Sequence, residues 1–505
     1  LIERRSLVAA IDQGTTSSRC ILFDRSGQPV ASHQLEHAQI TPRPGWVEHD
    51  ADEILERVRT CIRVALRDLG ADGTALVAVG ISDQRETTVV WDRRTGRPVH
   101  NAIVWQDIRT AEECARLAAA DPAGADRFRP LTGLPISTYS SALKLAWILE
   151  AGGHDRMAAA EGGDLLFGTI DSWLIWHLTG GVRTGVHVTD ATNASRTMLM
   201  GLESVAWEPS LLDAVGVPAA MLPEIRSSSE IYGEGVGDLA GVPIAGDLGD
   251  QHAALFGQAC FEAGQAKCTY GTGCFLLMHT GERPVPSTHG LITTVAARLG
   301  DGPATYALEG SVAVTGALVG WLRDNLGIIN SASEVEQLAR SVPDSGDVVF
   351  VPAFSGLFAP HWRSDARGVI AGLTRYATRG HIARAALEAT AYQVYDLEQA
   401  MAADLGAALP GDLRVDGGMI ANELLMQFQA DVLRRPVVAP PIAETSALGA
   451  AYAAGLAVDF WSGLDALREM DQTARRWEPA MDERTRAAGI ARWHKGIERS
   501  LDWVD

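Results

Sequence analysis

The sequence predicts an α/β protein built as two domains. Two observations carry this. Short apolar runs alternate with amphipathic helix patterns, and one small-residue turn between two strands recurs at half the chain length. Residues 7–11 and 19–23 are apolar runs that flank the polar turn Asp12-Gln13-Gly14-Thr15-Thr16-Ser17-Ser18, the pattern of a β-hairpin. Asp50 and Glu53 form a capping-box pattern, and Ile54, Val58, Cys61, Ala65 and Leu69 follow at helical spacing. Residues 75–81 have the composition of a buried strand, and strands alternating with helices mean an α/β class. The second half begins in the same way: residues 265–270, then Gly271-Thr272-Gly273, then an apolar run at 274–278. Gly14 and Gly271 lie 257 residues apart, which predicts domains of 1–257 and 258–505 with one such turn at the start of each. No linker rich in Pro, Ser or charge separates the halves, so a tight hinge is expected.

At 505 residues the chain is too long for one compact core. It is 47% hydrophobic and 21% charged, the composition of a soluble globular protein. A formal net charge of -20 opposes binding to nucleic acid or to anionic lipid. A phosphate ligand must therefore be neutralised locally, by backbone N–H groups, a few cations and Mg²⁺. The six cysteines are scattered with no CxxC pair, which predicts neither a disulfide framework nor a zinc site. The start, Leu1 followed by IERRS and a short strand, does not resemble a signal peptide. No apolar run approaches the about 18 residues of a membrane span, and the Ala- and Gly-rich stretch 450–458 is expected to be a tightly packed helix. Cytoplasm is the expected compartment, with no membrane insertion.

The first turn is built for phosphate. Gly14 lets the backbone come close, Thr15, Thr16 and Ser17 offer hydroxyls beside successive N–H groups, and Arg19 adds a positive charge. Asp12, at the strand end, could hold Mg²⁺ directly or through water. Taken alone, the same residues also make an ordinary polar turn that binds nothing. Gly271-Thr272-Gly273 has the same chemistry, and two such turns facing each other could clamp a triphosphate from both sides. Neither GxxxxGK[ST] nor a GxGxxG after a strand is present, so this is not a P-loop or a dinucleotide fold. A third glycine site, Asp416-Gly417-Gly418, follows a strand at 413–415 and precedes a helix with Ile420, Leu424, Phe428 and Val432 on one face and Asn422 in its first turn.

Three segments suit a small polar acceptor. Arg85 and Glu86 follow the strand at 75–81, where loops gather; a bare surface ion pair is the alternative. Asp250 lies just before the expected boundary and could act as general base for a hydroxyl, with a helix cap as the alternative and His252 as a competing base. Residues 101–105 are expected to form a strand ending in Trp105, an aromatic for the apolar side of a polyol or for the core.

Together these segments resemble the FGGY carbohydrate kinases over nearly the whole length. The resemblance rests on DQGTTSSR at 12–19, PGWVEHD at 44–50, QRETTVVWD at 84–92, NAIVWQD at 101–107 and HVTDATNASRTML at 187–199. It continues through GDQHAALFGQ at 249–258, YGTGCF at 270–275, YALEG at 306–310 and VDGG with Asn422. Gly368, Gly372, Leu373, His381-Ile382 and Ala385-Ala386-Leu387-Glu388 match the second family signature. The GWVEHD and QRET segments favour the members that phosphorylate glycerol over the pentulose kinases.

The resemblance implies two ribonuclease H-like ATPase domains of the actin, hexokinase and Hsp70 type around a central cleft. It implies transfer of the γ-phosphate of ATP to glycerol, yielding glycerol 3-phosphate and ADP. Thr15, Thr16, Ser17 and Arg19 are then expected on the nucleotide phosphates, Asp12 at Mg²⁺, and Thr272, Gly316, Gly418 and Asn422 on the nucleotide from the second domain. Arg85, Glu86, Tyr139, Asp250 and Gln251 are expected to bond glycerol, with Trp105 and Phe275 on its carbon face and Asp250 as base. Members are often dimers or tetramers, so a homo-oligomer is expected.

Several positions depart from the family pattern. Asp83 stands where Asn usually precedes QRE and is expected to add negative charge beside the substrate pair. Gly320 replaces a Gln that would contact adenosine. The Tyr139 region is STYSSALK, and His361 replaces an aromatic. These leave open another polyol or ketose as acceptor, or a catalytically weak nucleotide-binding sensor. Residues 233–242, GEGVGDLAGV, match a loop that binds fructose 1,6-bisphosphate in some bacterial members but contain Glu234 and Asp238 and no cation, so insensitivity to that effector is expected.

Overall fold

Residues 5–470 and 475–504 are described by a computed structural model of the chain. Leu1 to Arg4, the start of the segment expected to lack a signal peptide, lie outside the described residues. In the first half, β1 (Leu7–Gln13) and β2 (Ser17–Phe23) form the expected antiparallel hairpin, with Asp12 opposite Arg19. β3 (Pro29–Glu36), α1 (Ala51–Asp68) and β4 (Leu76–Asp83) follow, then α2 (Ile170–Leu178), β5 (Ser229–Glu234) and β6 (Pro243–Gly249). The sheet order is β5-β6-β4-β1-β2-β3, and β4 runs parallel to both β1 and β6. The short helix α3 (Asp250–Gly257) leaves the end of β6.

The second half rebuilds this plan. β7 (Ala266–Tyr270) and β8 (Cys274–Gly281) form an antiparallel hairpin, followed by β9 (Ile292–Arg298) and β10 (Ala304–Val312). Next come α4 (Gly316–Asp324), the long α5 (Arg379–Leu405), β11 (Leu413–Asp416), α6 (Glu423–Leu433), β12 (Val437–Ala439), α7 (Thr445–Ala457) and β13 (Arg475–Trp477). The order is β9-β10-β8-β7-β11-β12-β13, with β7, β11 and β12 mutually parallel along the sheet. Strands β3-β2-β1-β4-β6 and β10-β8-β7-β11-β12 therefore share one topology, and each glycine turn caps the C-terminal end of its central parallel strand, where open α/β sheets bind ligands.

One face of the first sheet packs on α1 and α2 through Ile11, Ile54, Val58, Ile81 and Trp173. The other face packs on α7, which arrives from the second half of the chain, through Val8, Ala78, Ala450 and Ala454. Small residues make this approach possible. A Cβ on Gly449 of α7 would stand 1.8 Å from the Ala253 carbonyl of α3, so the two helices cross with backbones in contact. The stretch expected as a tightly packed helix is thus the element that seats α3, and with it Asp250. Among the described residues no helix is long and apolar enough to cross a membrane.

Three local expectations are corrected. Asp50 caps α1, accepting from Asp52 N and Glu53 N at 2.9 and 3.2 Å. Glu53 does not complete a capping box; its carboxylate accepts from Ala38 N at 3.1 Å and from Arg57 at 2.9 Å, because β3 passes close overhead. The strand expected at 101–105 is only Ala102–Ile103, paired with Glu48–His49, and Trp105 stands in the turn beyond it. Ile420 lies in a 3₁₀ turn, Gly418–Ala421, and Asn422 is the N-cap of α6 rather than a member of its first turn, its side chain accepting from Leu425 N at 2.9 Å.

Candidate active site

The first turn is held from below. Gly14 N donates to Ser17 O at 2.9 Å and closes the loop, while His37 and Gln39 both reach the Thr15 carbonyl at 3.0 Å. Ser17 Oγ accepts from Gln34 Nε2 at 2.7 Å, and Thr16 is exposed. Gln84 Nε2 braces the same turn through Gly14 O at 3.2 Å and Gln13 Oε1 at 3.1 Å. With its carbonyls bonded underneath, the turn leaves hydroxyls and N–H groups toward the opening. Arg19 lies at its exit, pairing with Glu444 at 3.2 Å and donating to Gln34. Asp12 is half-buried, and its carboxylate makes no hydrogen bond among the described residues. Burial raises its pKa to about 6 against the pull of Arg19, with Asp250 and Glu444 adding to the rise.

The expected acceptor residues come together. Asp250 opens α3, and its Oδ1 lies 3.0 Å from Arg85 Nε and 2.6 Å from Gln251 N. Its side chain is 30% exposed, whereas Arg85 is 3% exposed, so the carboxylate faces the opening and the guanidinium stands behind it. Glu86 follows Arg85 in a left-handed conformation, φ 63°. This strained geometry in a residue with a side chain turns its carboxylate inward to Arg196 Nε at 2.6 Å. Ser141 of the STYSSALK segment fixes the turn by donating to the Glu86 carbonyl at 3.0 Å. Trp105 and Tyr139 meet edge to face at 5.5 Å, and Trp105 Nε1 donates to Thr15 Oγ1 at 3.0 Å, tying the aromatic wall to the phosphate turn. Phe275 closes the wall from the second half, its ring centroid 5.9 Å from the Arg85 guanidinium carbon. His252, the competing base, is fully buried on Thr294 at 3.3 Å, and burial lowers its pKa well below the usual value. It does not face the opening.

The second-half nucleotide residues also converge. Thr272 is exposed, and its carbonyl accepts from Thr315 N and Ala317 N, both at 3.0 Å. Gly316 N donates to Gly271 O at 3.0 Å, and a Cβ there would stand 2.5 Å from that oxygen and 3.5 Å from Met419 Sδ. Only glycine permits this approach, which brings the turn at 271–273, the start of α4 and the turn at 417–419 into one patch. A Cβ on Gly418 or on Gly320 would meet nothing within 4 Å, so both open onto free space. Asn422 uses its oxygen as a cap and keeps its amide N–H groups for other partners.

Asp83 behaves differently from expectation. Its side chain makes no hydrogen bond or ion pair with Arg85 or Glu86 among the described residues; it is fully buried, accepting from Asn193 Nδ2 at 2.9 Å and Asp171 N at 3.2 Å, and it feels Asp250 only through charge. There it joins Asp171, Asp190 and Asp247. Burial, followed by the charge of Asp171, raises the pKa values of Asp83 and Asp247 well above the ordinary range. His361 also has a role away from the site: its Nε2 lies 3.2 Å from Asp396, which accepts from Trp493 Nε1 at 2.8 Å. Three buried charges escape the sequence reading. Arg196 pairs with Glu86, Glu309 of β10 pairs with both Arg85 and Arg196, and Lys267 of β7 donates to Gln251 Oε1. Only Glu309, after Tyr306-Ala307-Leu308, carries a local hint of a buried partner; Arg196 and Lys267 stand in polar or mixed stretches that give none.

The family profile described as the FGGY family of carbohydrate kinases, N-terminal domain, matches residues 7–257, and its C-terminal counterpart matches 266–458. A protein of Chloroflexus aggregans named glycerol kinase is 59% identical over 497 residues, covering 98% of this chain and 99% of its own length. A Roseiflexus protein of the same name is 56% identical over 500 residues, covering 99% of each. The crystal structure of Plasmodium falciparum glycerol kinase with ADP superposes with a TM-score of 0.92 at 37% identity, over 98% of each chain.

Proposed function

The chain belongs to the FGGY family of carbohydrate kinases, and we propose that it phosphorylates glycerol from ATP with Asp250 as the general base. The fold is the two-domain, actin- and hexokinase-like ATPase fold of that family. One observation carries the choice of base: Asp250 is a partly exposed carboxylate at the start of α3, facing the opening in front of the buried Arg85. Oδ1 is engaged by Arg85 and Gln251 N, whereas Oδ2 has only a 3.3 Å hydrogen bond from Gln251 Nε2, so Oδ2 is the oxygen more readily given to the proton of the attacking hydroxyl.

Phosphoryl transfer depends on alignment and charge neutralisation more than on covalent chemistry. In this reading Thr15, Thr16, Ser17 and Arg19 hold the ATP phosphates from the first half, while Thr272, Gly316, Gly418 and Asn422 hold the nucleotide from the second. Arg85, Glu86, Tyr139 and Gln251 orient the glycerol hydroxyls, with Trp105 and Phe275 against its carbons. Asp12 suits Mg²⁺ held through water: it is a half-buried carboxylate without a hydrogen-bond donor, and no cluster of three or more metal-binding side chains exists among the described residues. Bound there, Mg²⁺ would neutralise phosphate charge. Residues 1–257 and 258–505 are the proposed domains, closing on each other to exclude water as a competing acceptor.

We place the protein in the cytoplasm, where six unbridged thiols are stable, and expect a dimer or tetramer. We also expect no response to fructose 1,6-bisphosphate, since the 233–242 loop has no cation of its own and Arg63, which reaches it, is already paired with Asp238 at 3.3 Å.

The test is ADP release by the purified chain with Mg-ATP and glycerol, dihydroxyacetone, xylulose, ribulose or no acceptor, beside Asp250→Ala. Glycerol should give the highest kcat/KM, and Asp250→Ala should lower it by at least about 1000-fold. A better ketose substrate would sink the acceptor assignment, and an active Asp250→Ala would sink the base.

A further inference from the structure

We propose that Glu309 is a positioning residue for the acceptor site: from the second half of the chain it fixes Asp250 through Arg85 and Glu86 through Arg196. The inference deepens the acceptor-site reading above and rests on it. The contacts form an alternating chain. Asp250 Oδ1 meets Arg85 Nε at 3.0 Å, and the terminal nitrogens of Arg85 meet both oxygens of Glu309. Glu309 Oε1 meets Arg196 at 3.3 Å, and Arg196 Nε meets Glu86 at 2.6 Å. The two ends of this chain are the base and the Glu expected to orient glycerol. Its centre is a single carboxylate from β10, 1% exposed.

The electrostatics show why the centre must be ionised. Burial pushes the Glu309 carboxyl up, but Arg196 and Arg85 outweigh it and hold the pKa at about 2. A neutral side chain there would leave two buried guanidinium groups facing each other with no anion between them. The Arg85 terminal nitrogens have no hydrogen-bond acceptor besides Glu309 among the described residues. Released, they are free to turn onto Asp250, whose Oδ1 already lies 3.0 Å from Arg85 Nε, and to occupy the oxygen that must receive the proton. Glu309 thus holds Arg85 off Oδ2 while leaving Nε against Oδ1.

The origin of Glu309 matters as much as its charge. β4, which leads into Arg85, belongs to the first sheet, and β10 to the second, so the alternating chain exists only when the halves are together. Lys267, fully buried on β7, grips Gln251 from the same side. The second half therefore does more than bind nucleotide: it sets the acceptor residues of the first half, which links closure of the cleft to readiness of the base.

The experiment uses the full chain with Mg-ATP and glycerol, and compares the parent, Glu309→Gln and Glu309→Ala, the last with and without sodium formate. In Glu309→Gln, kcat should fall about 100-fold, the scale of a misplaced reacting group, while KM for ATP changes by less than about threefold. Formate, a small carboxylate able to enter the space left in Glu309→Ala, should restore kcat by about tenfold or more. Thermal melts of each variant separate misplacement from unfolding. A folded Glu309→Gln with kcat within about threefold of the parent overturns the proposal. So does a loss spread equally over kcat and both KM values with no response to formate, the mark of a merely structural role. If the parent itself does not turn over glycerol, the acceptor reading fails and this inference fails with it.

Discussion

Asp83 and Arg85 stand two residues apart at the end of β4 and enter buried charge groups of opposite design. Arg85 joins Asp250, Glu309, Arg196 and Glu86, where each charge touches one of opposite sign. Asp83 joins Asp171, Asp190 and Asp247, where every charge has the same sign. The first group keeps its central carboxylate ionised, as the depressed Glu309 shows, although burial raises Glu86 at its edge. The second cannot ionise fully and must hold protons; Asp190, despite donors from Thr192, Asn193 and Ser228, is raised by burial to about 6. Asp247 has neither oxygen satisfied by a hydrogen bond, so a proton held there gives it a donor toward Asp171, whose own oxygens already accept from Thr169 and Thr189. Alternation produces fixed geometry for a reaction. Like charge produces a proton reservoir that affects stability. The contrast predicts that equivalent one-charge changes in the two groups have different readouts.

The largest effect is expected from Arg196→Met. Removing this cation leaves Glu86 and Glu309 buried without the charge between them, and breaking a buried pair from one side costs about 3–5 kcal/mol. Melting temperature should fall, and kcat for glycerol should fall about 1000-fold because Glu86 loses the partner that turns it inward. Arg196→Lys should recover only part of the rate, since a point charge cannot span Glu86 and Glu309 as a guanidinium does. Steady-state kinetics and thermal melts on the three proteins decide this; a stable, active Arg196→Met would show that alternation is not what holds the site.

Sequence and structure meet unevenly across these groups. The hairpins, α1 and β4 are legible because their signals are local: a polar turn between apolar runs, a helical period, a short buried run. The residues of the phosphate turn and the Arg85-Glu86-Asp250 set are legible because several motifs carry them together. Glu309, Arg196 and Lys267 are not, because, beyond the apolar residues before Glu309, nothing local distinguishes a buried charge with a distant partner from one on an exposed face; the Glu86–Arg196 pair spans 110 residues. Asp83 is misplaced for a related reason. Nearness in sequence to Arg85 suggests nearness in space, and strand alternation would put residues two apart on one face, but the strand ends at Asp83 and the turn at Arg85-Glu86 sends the two side chains apart. The capping box fails because Glu53 finds a tertiary partner, Ala38 N, that the local pattern cannot show.

A smaller effect, on stability alone, is expected from Asp247→Asn. The folded pKa of Asp247 is raised well above the ordinary 3.8, so the folded state holds a proton that the unfolded state releases. Stability then falls by about 1.4 kcal/mol for each pH unit climbed from about 4 toward the folded pKa, and above that pKa the contribution is gone. An Asn has no charge to suppress and supplies its own N–H donors. Asp247→Asn should therefore melt higher than the parent at pH 8 and about level with it at pH 4, with kcat at pH 8 reduced less than about threefold. Equal melting temperatures at both values would mean that the cluster stores no protons.

The smallest effect should come from Asp83→Asn, and it tests the comparison most narrowly because Asp83 is the like-charge residue nearest in sequence to the alternating chain. Asn keeps an oxygen for Asn193 Nδ2 and gains an amide donor for the surrounding carboxylates. If Asp83 belongs to the reservoir, the change raises the melting temperature at pH 8 by a few degrees, in the direction of Asp247→Asn, and leaves KM for glycerol within about twofold. If instead its charge reaches the acceptor residues, KM for glycerol moves with no matching gain in stability. The structure favours the first outcome: the Asp83 carboxylate oxygens accept from Asn193 and Asp171, and among the described residues none of its side-chain hydrogen bonds leads to Arg85, Glu86 or Asp250.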